Sequence, residues 1–180
     1  MNMILFGFKK CGKTYFGLTV AQKMHMHFID TDQKIEELYQ SRYHKKLSCK
    51  QIAEHHGLNT LRELEKQAIF SLEKIDNAVV ALGGGAVLDK ENVDYLQKIG
   101  SLVYLRAEKE SLKTRILSGE IPAYIDMADP IQSFEEMYTN RLGVYETIQA
   151  FKVDTQNKRE QQIVQILCDL IEVIRVSHGQ

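Results

Sequence analysis

Two glycines, a lysine and a threonine near the start of the chain have the spacing of a phosphate-binding loop. Residues 7–14 read GFKKCGKT, which matches G-x-x-x-x-G-K-[ST] without a mismatch. The apolar run Met3–Phe6 precedes the motif and a helical pattern follows it, as the motif requires. Glycines let successive backbone N–H groups turn towards an anion, and a helix start adds partial positive charge. The motif therefore predicts binding of a nucleoside triphosphate.

The motif also predicts roles for individual residues. Lys13 is expected to reach the β- and γ-phosphates and to act in catalysis, and the Thr14 hydroxyl is expected to ligate Mg²⁺. Further nucleotide contacts are predicted for Lys10, Cys11, Gly12 and Tyr15. The alternative is a plain glycine turn between a strand and a helix, which the complete motif in this context disfavours.

Two aspartates follow the second apolar run, in the segment FIDTDQKIEE. Asp30 and Asp32 are two residues apart, so their side chains point alike if the strand continues through both. Beside a phosphate-binding loop, one carboxylate can hold Mg²⁺ through water, and the other can accept the proton of an attacking hydroxyl. The alternative is that Asp30, Thr31 or Asp32 only caps the following helix.

Three consecutive glycines, Gly83 to Gly85, end the third apolar run in the segment ALGGGAVLD. Such a run is costly in backbone entropy. It is typical of main chain that approaches a ligand closely and offers it bare N–H groups. A flexible turn is the alternative.

Short apolar runs alternate with longer amphipathic ones along the chain. The predicted strands are Met3–Phe6, Met26–Ile29, Ala78–Leu82, Leu102–Leu105 and Phe151–Val153. The predicted helical regions are Lys13 to about Met24, Thr31–Ile75, Lys90–Ile99, Glu108–Ser118, Phe134–Ile148 and Glu160–Val176. Runs with few charges are typical of parallel strands buried on both faces. The alternation predicts a doubly wound α/β domain.

Two segments interrupt this alternation. Residues 31–76 show no strand pattern, and they contain a candidate capping box, Ser48 with Gln51, and a candidate helix cap at Asn59. Residues 119–132, GEIPAYIDMADPIQ, hold both prolines of the chain, which disfavours a continuous helix. If both segments lie at the carboxyl ends of the strands, we expect a substrate-binding region and a mobile lid.

Length and composition narrow the classes of function. The 180 residues suit one domain, taken as residues 1–180. A net charge of -1 gives no field that favours nucleic acid or an anionic membrane. The sequence shows no secretion signal and no run approaching the roughly 20 apolar residues of a membrane span. The 3 cysteines are widely spaced and fit neither a disulfide framework nor a zinc site. We expect a cytoplasmic monomer.

The motifs GFKKCGKT, DTD, LRELE, LGGGAV and NRLGVYE resemble those of shikimate kinase in order and spacing, from about Met3 to Thr155. The resemblance implies the three-layer α/β/α fold of the nucleoside-monophosphate-kinase group, with a five-stranded parallel sheet. It also implies transfer of the γ-phosphoryl group of ATP to the 3-hydroxyl of shikimate, on the route to chorismate, with Mg²⁺ as cofactor.

The same resemblance implies roles around the acceptor. Asp32 would contact the shikimate hydroxyls and act as the base, and Asp30 would help Thr14 to hold Mg²⁺. The glycines Gly83, Gly84 and Gly85 would contact the substrate through their backbone, with Gly84 as the principal contact.

Two arginines would bind the shikimate carboxylate. Arg62 lies in LRELE, with Glu65 one helical turn later to orient it, and Arg141 lies in NRLGVYE. Guanidinium groups pair bidentately with carboxylates, so two of them suit a small acid. The alternative for each arginine is a salt bridge on a helix surface.

The chain departs from the family pattern at Ile121-Pro122, where an arginine usually precedes the proline. A cation is thereby absent from the place where charge develops in the transition state. Arg115, Lys9 or Lys10 can replace it, and Arg115 is expected near the nucleotide. Otherwise the enzyme is slower, or the chain binds nucleotide without catalysis. Another kinase of this fold, such as a gluconate kinase, is a further alternative, against which the paired arginines and the triple glycine argue.

Overall fold

Residues 1–178 are described in the computed structural model as a parallel sheet flanked by helices. The strands are β1 (Asn2–Phe6), β2 (His27–Asp30), β3 (Ala78–Ala81), β4 (Ser101–Arg106) and β5 (Phe151–Asp154). The helices are α1 (Lys13–Lys23), α2 (Thr31–Tyr43), α3 (Cys49–Phe70), α4 (Lys90–Ile99), α5 (Lys109–Leu117), α6 (Pro130–Thr147) and α7 (Glu160–His178), with a short 3₁₀ helix at Ala86–Leu88. None of these helices is both long and apolar enough to cross a membrane.

The five strands are ordered β2-β3-β1-β4-β5 and all pair in parallel. Each predicted strand overlaps an observed one, so the predicted three-layer α/β fold is confirmed. From β1 the chain crosses to the β3–β2 side of the sheet, and after β3 it returns to the β4–β5 side. This reversal opens a crevice at the carboxyl end of β1, where such sheets bind ligands.

The central strands are buried on both faces. Every residue of β1 and β3 is buried, as are the four inner residues of β4, which explains their uninterrupted apolar sequences. At the sheet's carboxyl end, Phe6, Phe8 and Tyr145 form an aromatic cluster, with Phe8 and Tyr145 ring centroids 4.9 Å apart. This cluster connects the loop after β1 to α6.

Helices α2 and α3 enclose a second, smaller core. It is separate from the main core and consists of Ile35, Tyr39, Leu47, Ile52, Leu64 and Ala68. Residues 31–70 therefore form a helical pair with its own apolar contacts, packed beside the sheet.

The helix caps confirm one sequence prediction and correct another. Ser48 and Gln51 form the predicted capping box, with Gln51 N donating to Ser48 Oγ at 3.3 Å. The prediction that Asn59 caps a new helix was wrong, because Asn59 lies inside α3. The break falls at Gly57 instead, where φ is 82° and ψ is 161°. Glycine adopts this left-handed backbone without the steric cost of a side chain.

Helix α6 begins four residues earlier than predicted, at Pro130 rather than Phe134. Asp129 caps it by accepting a hydrogen bond from Gln132 N at 3.0 Å. Proline is well suited to the first helical position, since its fixed φ is helical and its missing N–H would have no partner there. The loop between α5 and α6, called the α5–α6 loop below, is therefore residues 118–129, and the last three residues of the predicted lid segment are helical.

Asn2 joins the start of β1 to three neighbouring segments. Its side chain is buried, donates to Ile75 O at 3.0 Å and Ile99 O at 2.8 Å, and accepts from Ala78 N at 3.1 Å. One amide thereby satisfies three backbone groups.

Replacing Asn2 with Ala is expected to lower the free energy of unfolding by about 2 kcal/mol, because it leaves buried backbone groups without partners. Chemical denaturation measures this change. The matched control is Gln97→Ala, which removes an exposed amide and should change stability by less than about 0.5 kcal/mol. Equal stability of the two variants would contradict the prediction.

Candidate active site

A cleft of about 410 Å³ opens at the carboxyl ends of β1, β2 and β3. Its walls come from the phosphate-binding loop after β1, the first turn of α2, one face of α3, the glycine segment after β3 and the α5–α6 loop. Most of the predicted nucleotide and acceptor residues therefore meet around one cavity, although the predicted acceptor residue Arg141 does not line it.

The phosphate-binding loop has the backbone its glycines predict. Gly7 has φ 143° and Gly12 has φ 101°, and Lys10 also has a positive φ of 66°. A side chain at Gly7 would lie 2.7 Å from Leu105 O, so the loop packs directly on β4. The Lys13 ammonium donates to Gly7 O at 3.0 Å and Phe8 O at 2.8 Å, which holds it at the rim of the loop.

Most of the predicted nucleotide contacts line the cleft: Lys10, Gly12, Lys13, Thr14 and Tyr15. Two do not. Cys11 is buried beneath the loop, with its sulfur 3.8 Å from Lys13 Nζ. Arg115 is exposed on α5 and donates to Lys10 O at 3.3 Å, so it contacts the outside of the loop rather than the cavity.

Asp30 contacts both the phosphate-binding loop and helix α2. Its Oδ2 accepts from the Thr14 hydroxyl at 2.8 Å, and its Oδ1 caps α2 by accepting from Asp32 N at 2.9 Å. The capping alternative and the functional reading of this carboxylate are therefore both compatible with the geometry. The condition for strand alternation is not met, because β2 ends at Asp30 and Asp32 lies in the first turn of α2, as the predicted helical region from Thr31 implies. Asp32 reaches the cleft because of the helix start, not because of strand alternation.

The glycine segment admits charged side chains against its backbone. A Cβ at Gly83 would lie 2.6 Å from Asp32 Oδ1 and 2.9 Å from Glu65 Oε1, and one at Gly85 would collide with the Arg62 guanidinium. Gly83 N also donates to the buried Thr31 hydroxyl at 2.9 Å. The flexible-turn alternative does not describe this segment, since its backbone is packed and hydrogen bonded.

Arg62 and Glu65 form an ion pair inside the cleft rather than on a helix surface. Arg62 Nη1 lies 2.6 Å from Glu65 Oε2, and Glu65 is 3% exposed. Both residues line the cavity. The buried carboxylate fixes the direction of the guanidinium, as the spacing in LRELE predicts.

Arg141 is buried at the same glycines. Its Nη1 donates to Gly84 O at 3.3 Å, and the Tyr145 hydroxyl donates to the same carbonyl. The Arg141 guanidinium carbon lies 4.2 Å from the ring centroid of Tyr124, a cation–π contact with the α5–α6 loop. Arg141 is thus not a surface residue, and it converges with Arg62 on residues 83–85.

The two carboxylates that adjoin Gly83 have raised pKa values. Asp32 is open to solvent at one side, but the cleft walls remove much of its hydration, and this desolvation raises its pKa. The Asp30 charge raises it further, while Lys13 and Lys9 lower it by less. Burial also raises the pKa of Glu65, against the opposing charge of Arg62. Because both groups bind protons more tightly than free carboxyls, Asp32 is suited to accept one.

Several site residues were missed by sequence reasoning. Tyr124 packs against the Arg141 guanidinium and the Tyr145 hydroxyl donates to Gly84 O. Both tyrosines lie in segments, residues 119–132 and NRLGVYE, for which the sequence predicted other functional residues. Lys50, in the first turn of α3, lines the cleft and lies 4.0 Å from Glu120 of the α5–α6 loop. The usable signal was that residues 119–132 contain no Lys or Arg, so any cation facing this loop must come from another element.

Comparison with known proteins settles the family. A family model described as "Shikimate kinase" matches residues 9–172. The chain belongs to the shikimate kinase family.

Relatives and solved structures agree with this family. The shikimate kinase of Caldicellulosiruptor saccharolyticus is 33% identical over 154 residues, which are 86% of each chain. That of Caldanaerobacter subterraneus subsp. tengcongensis is 31% identical over 174 residues, covering 97% of this chain and 94% of the relative. The structure of Acinetobacter baumannii shikimate kinase in complex with shikimate superposes with a TM-score of 0.84 over 96% of this chain and 93% of that one, at 24% identity. The last match shows the shared fold.

The raised pKa of Asp32 predicts a stability cost. Protonation of Asp32 stabilises the folded protein fully below the unfolded pKa, about 3.9, and this stabilisation is lost as pH rises through the higher folded pKa. Asp32→Asn should therefore have a higher Tm than the wild type at pH 7, and the difference should disappear as pH falls below about 4.

Thermal unfolding across this pH range measures the effect. The matched control is Asp94→Asn, an exposed carboxylate on α4 that pairs with Lys90, which should show no gain in Tm at pH 7. A Tm difference between Asp32→Asn and the wild type that did not depend on pH would refute the prediction.

Proposed function

We propose that this chain transfers the γ-phosphoryl group of ATP to the 3-hydroxyl of shikimate, with Mg²⁺ as its metal ion. One observation carries the proposal: Asp32, Arg62 and Arg141 converge on the glycine segment, and Asp32 and Arg62 line a cleft whose other wall is the phosphate-binding loop. All of these groups belong to one chain, and the proposal is of a monomeric enzyme with two small-molecule substrates.

In this proposal the phosphate-binding loop holds the triphosphate. Backbone N–H groups of the loop and the start of α1 face the phosphates. Lys13 exchanges its bonds with the Gly7 and Phe8 carbonyls for phosphate oxygens, a short movement for a side chain already at the loop rim. Its charge stabilises the negative charge on the transferred group.

Thr14 and Asp30 are proposed to hold Mg²⁺. Their oxygens lie 2.8 Å apart beside the loop, and oxygen donors are what Mg²⁺ prefers. Magnesium in phosphate-transfer sites uses one or two protein oxygens and completes its shell with phosphate and water, so two donors fit the ion. When bound, the ion neutralises charge on the phosphate oxygens.

Asp32 is proposed to act as the base. It takes the proton of the 3-hydroxyl while that oxygen forms a bond to the γ-phosphorus. The bond from the γ-phosphorus to the bridging oxygen breaks, and ADP leaves with its electron pair. Burial and the Asp30 charge raise the pKa of Asp32 towards the range in which a carboxylate accepts a proton at neutral pH.

Arg62 and Arg141 are proposed to bind the shikimate carboxylate. Glu65 directs Arg62, and the Gly84 carbonyl and the Tyr124 ring direct Arg141, so neither guanidinium needs to be ordered on binding. A gluconate kinase would also need to bind an acid, but the matching family model and relatives are shikimate kinases, which disfavours that alternative.

Purified protein with Mg-ATP should release ADP only when shikimate is added. A coupled assay for ADP measures this, with gluconate and a nucleoside monophosphate as the comparison acceptors. Gluconate-dependent turnover would support the other kinase, and ATP binding without any acceptor-dependent turnover would support a nucleotide-binding homologue that has lost catalysis.

Asp32→Asn should reduce kcat by roughly 10²- to 10⁴-fold, because the base is lost. Affinity for ATP should remain near that of the wild type, since Asp32 contacts the acceptor in this proposal. Isothermal titration and steady-state kinetics measure the two effects separately, with Asp94→Asn as the control that keeps full activity. A variant that retained most of its rate would exclude Asp32 as the base.

A further inference from the structure

The Tyr124 side chain has an unexplained polar group. Its hydroxyl is buried and donates to no acceptor among residues 1–178, while the Arg141 guanidinium acts on its oxygen as a donor. The residue lies in the α5–α6 loop and lines the cleft beside Pro122 and Ala123. Buried hydroxyls in native proteins are almost always hydrogen bonded, so a donor without an acceptor on a residue that lines a binding cleft indicates a ligand group.

The charges around Tyr124 indicate what kind of group this is. Burial raises the pKa of its phenol, so the hydroxyl stays protonated and is available as a donor. Arg141 and then Arg62 act most strongly on it among the charged residues, and both oppose that rise, while Asp32 acts more weakly in the other direction. The Arg141 guanidinium carbon lies 4.2 Å from the ring centroid, so Tyr124 lies on the side of the cleft where the two guanidiniums converge.

The geometry points to Tyr124 as a third donor to the carboxylate of the acceptor, beside Arg62 and Arg141. This inference rests on the proposed function. A carboxylate offers about four acceptor positions, so two guanidiniums do not exhaust it. The ring already packs against Arg141, with the guanidinium carbon 4.2 Å from its centroid, so a carboxylate bound to that guanidinium comes within reach of the same side chain.

The composition of the α5–α6 loop supports this role. Its charged residues are Glu120, Asp126 and Asp129, which repel a carboxylate, and it contains no Lys or Arg. Its two hydroxyl side chains are Ser118, which donates to Thr114 O at 2.6 Å, and Tyr124, so the neutral phenol is left to donate to an anion. Binding of the acceptor then gives the Tyr124 hydroxyl its missing partner, and this couples the position of the loop to occupancy of the cleft.

Tyr124→Phe tests the inference, because it removes the hydroxyl and keeps the ring over Arg141. The KM for shikimate should rise by roughly tenfold to a hundredfold, the range expected for a lost hydrogen bond to a charged group. The kcat and the KM for ATP should stay near wild-type values, since the contact is equal in ground and transition states. Without substrate, the Tm of the variant should stay close to that of the wild type, because the lost hydroxyl donates to no acceptor.

Tyr138→Phe is the matched control. Tyr138 stacks on Phe8 with ring centroids 4.7 Å apart and does not line the cleft, so its loss of a hydroxyl should leave both KM values unchanged. Shikimate should raise the Tm of the wild type and of Tyr138→Phe equally, and that of Tyr124→Phe by less. A lowered Tm of Tyr124→Phe with an unchanged KM for shikimate would show a purely structural role and overturn the inference.

The methyl ester of shikimate identifies the group that is contacted. Because the ester carries no charge, the ratio of KM values between Tyr124→Phe and the wild type should be smaller for the ester than for shikimate. An equal ratio would assign the hydroxyl to another part of the substrate and overturn the inference. If the wild type itself shows neither turnover nor a Tm shift with shikimate, the proposed function fails and the inference fails with it; a normal wild-type response with an unaltered variant refutes the inference alone.

Discussion

The active-site cleft depends on a stretch of main chain that carries no side chains. At Gly83 the missing Cβ leaves space for the carboxylates of Asp32 and Glu65, and at Gly85 it leaves space for the Arg62 guanidinium. Between them, the Gly84 carbonyl accepts hydrogen bonds from α6. Helices α2, α3 and α6 can meet at the end of β3 only because this backbone is bare. This arrangement has two costs. The glycines lose more conformational entropy on folding than other residues would, and desolvation together with neighbouring carboxylate charge raises the pKa values of Asp32 and Glu65.

The parts of the fold that could be predicted are those whose local chemistry and tertiary environment agree. Buried parallel strands have apolar residues on both faces, so β1 and β3 could be predicted from their uninterrupted apolar runs without knowing which strands they pair with. The errors lie where one residue type serves two purposes. Pro130 suggested a helix break but occupies the first position of α6, and Gly57 rather than Asn59 interrupts α3. Whether a proline or glycine begins or interrupts a helix depends on the path of the chain on either side of it, and residue spacing does not show that path.

The candidate site likewise has a part that could be predicted from local sequence and a part that depends on tertiary contacts. The phosphate-binding loop is local, since eight consecutive residues contain the motif, and its backbone has the predicted form. The roles proposed for Arg62 and Arg141 came from the family resemblance, because the sequence around an isolated arginine does not show which groups lie near it. No local sequence pattern predicted that Tyr124 or Lys50 belongs to the site. Tyr124 lies there because α6 brings Arg141 against its ring, and Lys50 because the α5–α6 loop brings Glu120 near it. Both contacts are set by packing between elements distant in sequence.

The separate core beneath α2 and α3 has an evolutionary consequence. Its residues, Ile35, Tyr39, Leu47, Ile52, Leu64 and Ala68, belong to a cluster distinct from the one that packs below the phosphate-binding loop. Core substitutions in the helical pair can therefore be selected separately from those below the phosphate-binding loop. A fold with two separate cores allows one region to change its packing while the packing of the other is kept.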